Sequence, residues 1–308
     1  MTVIAIFGPT ASGKSAVAEA IADRIPAELV SADSMQVYRG LPILTNQSEF
    51  PTRLVGIWDL DHEASVGEYQ QLAHEAIDEI LAAGRTPVVV GGTGLYMRAA
   101  IAEMELPPAP APGTRERLER LYDRVGGDLA HELLAGRDPG AAAAVHPNDR
   151  RRVVRALELV EAGASLRPAA DRLWAGEPRH PTLIVGLEVP REELRRRVAD
   201  RTREMFARGV EEEVRRALAS PVSRTARHIH GLQDIAELPR EQAIEALTTR
   251  TQRYAVYQGK WMRRIPGVVS LHGQRPPGAL ADAILEMARS RERLPARGAG
   301  GAVRSADA

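Results

Sequence analysis

Four short apolar runs, TVIAIF at 2–7, AELVSAD at 27–33, TPVVVGG at 86–92 and TLIVGLEV at 182–189, are separated by stretches whose apolar positions recur at helical spacing. Unbroken β-branched runs of this length suit strands buried on both faces, and their alternation with helices predicts a mainly parallel sheet. The expected class is therefore α/β: a phosphate-loop NTPase-like parallel sheet flanked by helices, with an all-helical insertion. LPPAPAPG (106–113) breaks the alternation, and about seventy residues of helical pattern follow until GEPRHP at 176–181. This divides the chain into a core of 1–107 with 180–290 and a helical insertion at 108–179. After TVIAIF, Val17, Ile21 and Ile25 predict a helix, and in HPNDRRRVVRALE (146–158) a helix begins behind Asn148 or Asp149 as cap. PREELRRRVADRTREMFARG (190–209) places Leu194, Val198, Thr202 and Met205 on one face, and a last helix covers 241–264. From 291 to 308 the apolar periodicity stops, and a disordered tail is expected.

Composition narrows the class. The chain has 308 residues, no cysteine, and 41 basic residues against 41 acidic ones. Disulfides and thiolate metal sites are excluded, and zero net charge argues against a general nucleic-acid coat while permitting a local basic patch. No apolar run reaches the roughly 18 to 20 residues of a membrane span, and Gly8 and Lys14 interrupt any signal-peptide pattern. A cytoplasmic protein is expected, with no membrane partner, and a monomer in the absence of heptads or repeats. Arginines cluster at 150–152 and 155, and again at 195–197, 201 and 203.

The chemistry collects at strand ends, where parallel sheets bind ligands. GPTASGKS comprises Gly8, Pro9, Thr10, Ala11, Ser12, Gly13, Lys14 and Ser15, the spacing of a phosphate loop between strand and helix. Backbone N–H groups and the helix dipole favour an anion there, Lys14 adds a charge, and Ser15 can reach a magnesium ion. Asp33, directly after the second run, is a candidate magnesium ligand or general base, with capping of the next turn as the plain alternative. GGTGLY (91–96) lets a substrate approach the backbone closely. Arg197 and Arg201, one turn apart, repel unless an anion lies near them or solvent screens them. His228 and His230, without further ligands nearby, do not suggest a metal. Trp174 and Trp261 read as packing residues.

GPTASGKS, DSMQVYRG, GGTGLY, HPNDRRRVVRALE, RVADRTREMFARG and TQRYAVYQGKWMRR stand in the order and approximate spacing of the tRNA dimethylallyltransferases, which the chain resembles over about residues 3–265. The resemblance implies transfer of a dimethylallyl group from dimethylallyl diphosphate to N6 of an adenosine beside the anticodon, releasing diphosphate, with Mg2+ as cofactor. It implies Asp33, Thr10 and Arg201 as catalytic residues, and Gly8 to Ser15 with Arg201 as the diphosphate site. Asp33, Ser34, Gln36, Gly92, Thr93, Gly94, Arg253, Tyr254 and Gln258 would meet the flipped base and its neighbours. Arg151, Arg152 and Arg155 would hold the anticodon stem-loop of the tRNA.

The chain departs from the family pattern at Gly56-Ile57-Trp58, where a histidine pair is usual, and at Leu44-Thr45-Asn46-Gln47, where Gly-Thr-Ala-Lys is usual. It departs again at Ile229 to Gln233 and at Val256-Tyr257, where Lys-Arg is usual. The missing cations at 47, 256 and 257 predict a weaker grip on RNA, at about one unit of salt slope per lost phosphate contact. Two other acceptor chemistries fit the same loop: prenyl transfer to free AMP, ADP or ATP, and phosphoryl transfer by a small-molecule kinase.

Overall fold

The computed structural model describes residues 2–104, 106, 110–166 and 177–293. The residues form two compact units, one running to Ala102 and resuming at Pro178, the other Glu103–Glu177. An antiparallel bridge between Ala102 and Pro178, and a bond from Arg179 N to Ile101 O (2.9 Å), tie together the two points where the chain leaves and re-enters the first unit.

The first unit is built on six parallel strands: β1 (Val3–Phe7), β2 (Ala27–Ser31), β3 (Thr52–Arg53), β4 (Thr86–Gly91), β5 (Thr182–Glu188) and β6 (Val269–His272), in the order β3-β2-β4-β1-β5-β6. β1 is central, with Ala5 level with Val89 on one side and Ile184 on the other, and all five of its residues are buried. Its apolar, β-branched composition follows from that double coverage. β3 and β6 were absent from the four runs read as strands. They have two and four residues at the sheet edges and are half-exposed, so they carry no continuous apolar signal.

Helices α1 (Lys14–Ala22), α2 (Val66–Ala82) and α3 (Gly94–Ile101) follow strands or their loops, while α8 (Arg191–Ala207), α9 (Val210–Ala217), α10 (Leu232–Glu237), α11 (Arg240–Met262) and α12 (Pro277–Arg293) come after the second unit. Val17, Ala18 and Ile21 of α1 pack with Leu280, Ile284 and Leu285 of α12 over one sheet face. Ile25 joins this cluster from outside α1, contrary to the helical spacing, because Pro26 disfavours the α conformation before it and the helix ends at Ala22.

The second unit holds α4 (Thr114–Val125), α5 (Gly127–Arg137), α6 (Pro139–Ala143) and α7 (Arg150–Glu161) around Leu118, Leu134, Val153 and Leu157. Asp149 is the cap of α7, accepting from Arg152 N at 3.1 Å. Glu158, fully buried, takes a two-pronged ion pair from Arg115 and a further bond from Arg155 (3.1 Å). Trp174 and residues 294–308 of the tail expected from 291 lie outside the described residues, while 291–293 continue α12.

Candidate active site

The loop after β1 is shaped by its own backbone. Gly8 N donates to Gly91 O (3.3 Å), which ties the loop to the end of β4, and Ser12 N donates to Pro9 O (3.1 Å). Gly13 caps α1 in the left-handed region at φ 87°, a conformation that disfavours any side chain. The turn thus delivers the unpaired first N–H groups of α1 to the space above the sheet.

A cavity of about 530 Å³ opens there within the first unit. Lys14, Ser15, Arg197 and Arg201 line its loop side, and Asp33, Gln36, His230, Tyr254 and Gln258 lie on its walls. Arg201 Nη2 donates to Thr10 Oγ1 at 2.5 Å, and Arg197 Nη1 to Ala11 O at 3.4 Å, so both arginines of α8 turn toward the loop. Lys14 Nζ donates to Pro9 O (3.4 Å). Burial pushes the Lys14 ammonium down to about 8, with Asp33 opposing and Arg201 assisting. Burial also pulls the Arg201 guanidinium below its ordinary value, against the attraction of Asp33. Lys14 and Arg201, with Arg197 whose guanidinium is also held by Glu193 (2.7 Å), bring to this glycine-rich turn the cationic groups that suit an oxyanion.

Asp33 stands two residues beyond β2. Its Oδ1 accepts from Met35 N (2.9 Å), the turn-capping bond of the plain alternative, while its second oxygen makes no protein hydrogen bond among the described residues. The carboxylate is therefore both held and available. Ser34 Oγ, Thr93 Oγ1 and Tyr254 OH form a chain of contacts at 3.5 and 3.2 Å beside it. Burial pushes the Tyr254 phenol up to about 12, keeping it neutral and able to donate. Gln36 is committed to structure, accepting from Ser31 Oγ and donating to Thr45 O and Asn46 O.

α11 closes the site from behind. Gln258, 2% exposed, accepts from Thr10 N at 2.8 Å across 248 residues of sequence. The glycines of GGTGLY make room for this helix: a Cβ on Gly92 would sit 2.3 Å from Gln258 Nε2, and one on Gly94 2.5 Å from the Trp261 ring. Trp261 is thus a packing residue against Gly94. Pro9, Ser12, Ser34, Gly92, Thr93 and Gly94 are not among the residues that line the cavity, although Ser34 and Thr93 join its wall through Tyr254, and Arg253 is exposed on α11. Arg151, Arg152 and Arg155 belong to the second unit, where Arg151 and Arg152 are exposed and Arg155 is engaged with Glu158.

Two residues that sequence reasoning missed or set aside belong to this site. The buried Glu213 accepts from Ile43 N (2.7 Å) and Leu44 N (2.8 Å) and anchors the loop that carries Leu44, Thr45 and Asn46 to the cavity. His230 faces the cavity with its ring edge-on to Tyr254 at 4.6 Å. Burial holds its imidazole below the usual value, helped by Arg250 and opposed by Asp33 and Asp234. The departures from the family pattern also have structural uses. Gln47 donates to Tyr38 O (3.0 Å) and Thr45 Oγ1 (3.1 Å), and the buried Trp58 stacks on His62 at 4.8 Å.

A parallel sheet whose phosphate loop, paired arginines and carboxylate share one cavity defines a phosphate-loop α/β protein with an oxyanion site set against an acid–base group. The chain matches the IPP transferase family model over residues 36–265, and an isopentenyl transferase model over 1–50. It is 40% identical over 284 residues to the tRNA dimethylallyltransferase of Streptomyces coelicolor, covering 88% of this chain and 90% of that one. The crystal structure of the full-length tRNA isopentenylpyrophosphate transferase of Bacillus halodurans superposes with a TM-score of 0.68 at 30% identity, covering 94% and 97% of the two chains. A eukaryotic dimethylallyltransferase acting on tRNA shares the fold at a TM-score of 0.75 and 24% identity, over 96% of this chain and 81% of that one. The chain belongs to the IPP transferase family.

Proposed function

We propose that the chain transfers a dimethylallyl group from dimethylallyl diphosphate to N6 of the adenosine beside the anticodon of tRNA and releases diphosphate. The observation that carries this reading is the arrangement of one cavity: Lys14, Arg197 and Arg201 surround an anion position at the start of α1, while the uncommitted oxygen of Asp33 belongs to the same space. An allylic diphosphate ionises by breaking its carbon–oxygen bond, leaving cation character on carbon and an extra negative charge on diphosphate. Lys14, Arg201 and the loop amides stabilise that growing charge more strongly than the ground state. Thr10, whose hydroxyl accepts from Arg201, can donate its own proton to the departing oxygen. The adenine nitrogen forms the new bond to carbon and passes its proton to Asp33. Ser34, Thr93 and Tyr254 position the base, which has to leave its stack to enter.

The donor set also suits magnesium. Ser15 places a hard hydroxyl oxygen at the cavity, where it would hold the ion together with diphosphate oxygens. A magnesium ion held there by Ser15 would supply further neutralisation of the leaving group. No helix among the described residues is long and apolar enough to cross a membrane. The reading places the protein in the cytoplasm with its tRNA, acting as a monomer.

The test offers radiolabelled dimethylallyl diphosphate and magnesium with unmodified tRNA, an anticodon stem-loop, AMP or ATP. Label should enter the two RNAs, and Asp33→Ala should slow transfer by about 10²- to 10⁴-fold while diphosphate binding persists. Label confined to AMP or ATP, or phosphoryl transfer from ATP, overturns the proposal.

A further inference from the structure

Between Glu245 and Asp282 the chain contains no acidic residue but six cations, Arg250, Arg253, Lys260, Arg263, Arg264 and Arg275, in a protein whose total charge is zero. Arg250 pairs with Asp234, and Arg275 reaches the carbonyl of Ala279. Arg253, Lys260, Arg263 and Arg264 make no ion pair among the described residues, although most exposed arginines elsewhere in this unit are paired. Arg253, Tyr257 and Lys260 fall at helical spacing on one side of α11, and Arg263 and Arg264 follow its end.

An aromatic ladder runs along the same face. Tyr254, on the cavity wall, lies 6.4 Å from Tyr257 with the rings 23° from parallel, and Tyr257 meets Trp261 edge-on at 6.3 Å. The lower members are embedded, Tyr254 by its bond to Thr93 and Trp261 by its seat on Gly94. Tyr257 is 54% exposed, and its neighbour Val256 is 42% exposed. A large, pre-oriented ring held by two other rings and flanked by unpaired cations is a surface matched to an unstacked base on a polyanionic backbone. Neutral apolar partners would leave the cations without counter-charge, and a purely electrostatic contact would leave the exposed ring without use.

We infer that Tyr257 is a stacking platform for a nucleobase of the tRNA anticodon loop next to the acceptor adenosine, with Arg253 and Lys260 on the adjoining phosphates. This rests on the acceptor reading above. It also changes the expectation drawn from the missing Lys-Arg pair: at 256–257 the chain exchanges charge for stacking, so affinity is retained while its salt dependence falls.

The experiment is a titration of fluorescently labelled, unmodified anticodon stem-loop with the full chain at a series of KCl concentrations. Tyr257→Phe should bind like the wild type. Tyr257→Ala should bind about 5- to 100-fold more weakly with an unchanged salt slope, the loss expected for one base–aromatic stack. Tyr257→Arg should steepen the slope by about 0.7, the value for one more phosphate contact on a single strand. Binding of inorganic diphosphate with magnesium, measured by calorimetry, should be unchanged in all three and reports an intact fold. Wild-type affinity in Tyr257→Ala, or an equal loss in Tyr257→Phe, overturns the stacking role alone. A wild-type chain that binds no stem-loop overturns the RNA acceptor reading and the platform with it.

Discussion

Lys14 carries opposite pH effects on ligand binding and on stability. Its ammonium loses a proton near pH 8 in the free site, because burial disfavours the charge. Diphosphate requires the cation, so affinity should be full below about pH 8 and fall as pH rises through that value, by at most tenfold per unit. For stability the sign reverses. The unfolded lysine keeps its proton up to its ordinary value of 10.5, so the unfolded chain binds more protons between about 8 and 10.5, and stability gains across that window. Calorimetric titration with diphosphate from pH 7 to 9 should show the fall in wild type, and Lys14→Met should bind weakly with a flatter profile. Gln258 is the other residue on which the loop depends. Gln258→Leu removes the acceptor of Thr10 N from a buried position, which costs about 1–3 kcal/mol and should weaken diphosphate binding although residue 258 need not touch the ligand.

Elements with continuous local signals were legible before the structure. β1, β2, β4 and β5 declare themselves as apolar runs, and the phosphate loop through its glycine spacing. β3 and β6 did not, since each takes its order from a neighbour and not from its own composition. The same reason hid Glu213, whose partners at 43 and 44 lie about 170 residues away and use backbone groups that no side-chain pattern reveals. Asp33 and Lys14 could be nominated from local spacing, whereas His230 and Tyr257 acquire meaning only from the rings beside them. Glu213→Ala leaves two amides without an acceptor at the 41–47 loop. A loss of about 2–3 kcal/mol is expected, lowering Tm by about 5–10 °C. Hydrogen exchange at Ile43 and Leu44 should rise in the same variant, which separates this anchor from a general loss of packing. Gly91→Ala should be worse tolerated than either, because its Cβ would lie 2.2 Å from the carbonyl oxygen of Ala32, a backbone atom that cannot rotate away.

Across the whole molecule, charge is distributed unevenly between sites that net charge hides. On α7 of the second unit Arg150 pairs with Asp123 (2.7 Å) and Arg155 with Glu158, while Arg151 and Arg152 are exposed at its start, Arg152 in a long pair with Asp149 (3.8 Å). Arg151→Ala with Arg152→Ala should lower affinity for the anticodon stem-loop and flatten its salt slope by about 0.7 per lost phosphate contact, with diphosphate binding unaffected. A retained slope would remove this helix from the RNA-binding surface. The bond from Thr10 N to Gln258 has one more consequence, for the order in which the protein is made. GPTASGKS leaves the ribosome well before α11, yet its central strand waits for β5 and its loop for a glutamine near the end of α11, 248 residues beyond Thr10. A nascent chain stalled before that glutamine emerges would display the complete motif without the geometry, so translation itself withholds the anion site until α11 exists.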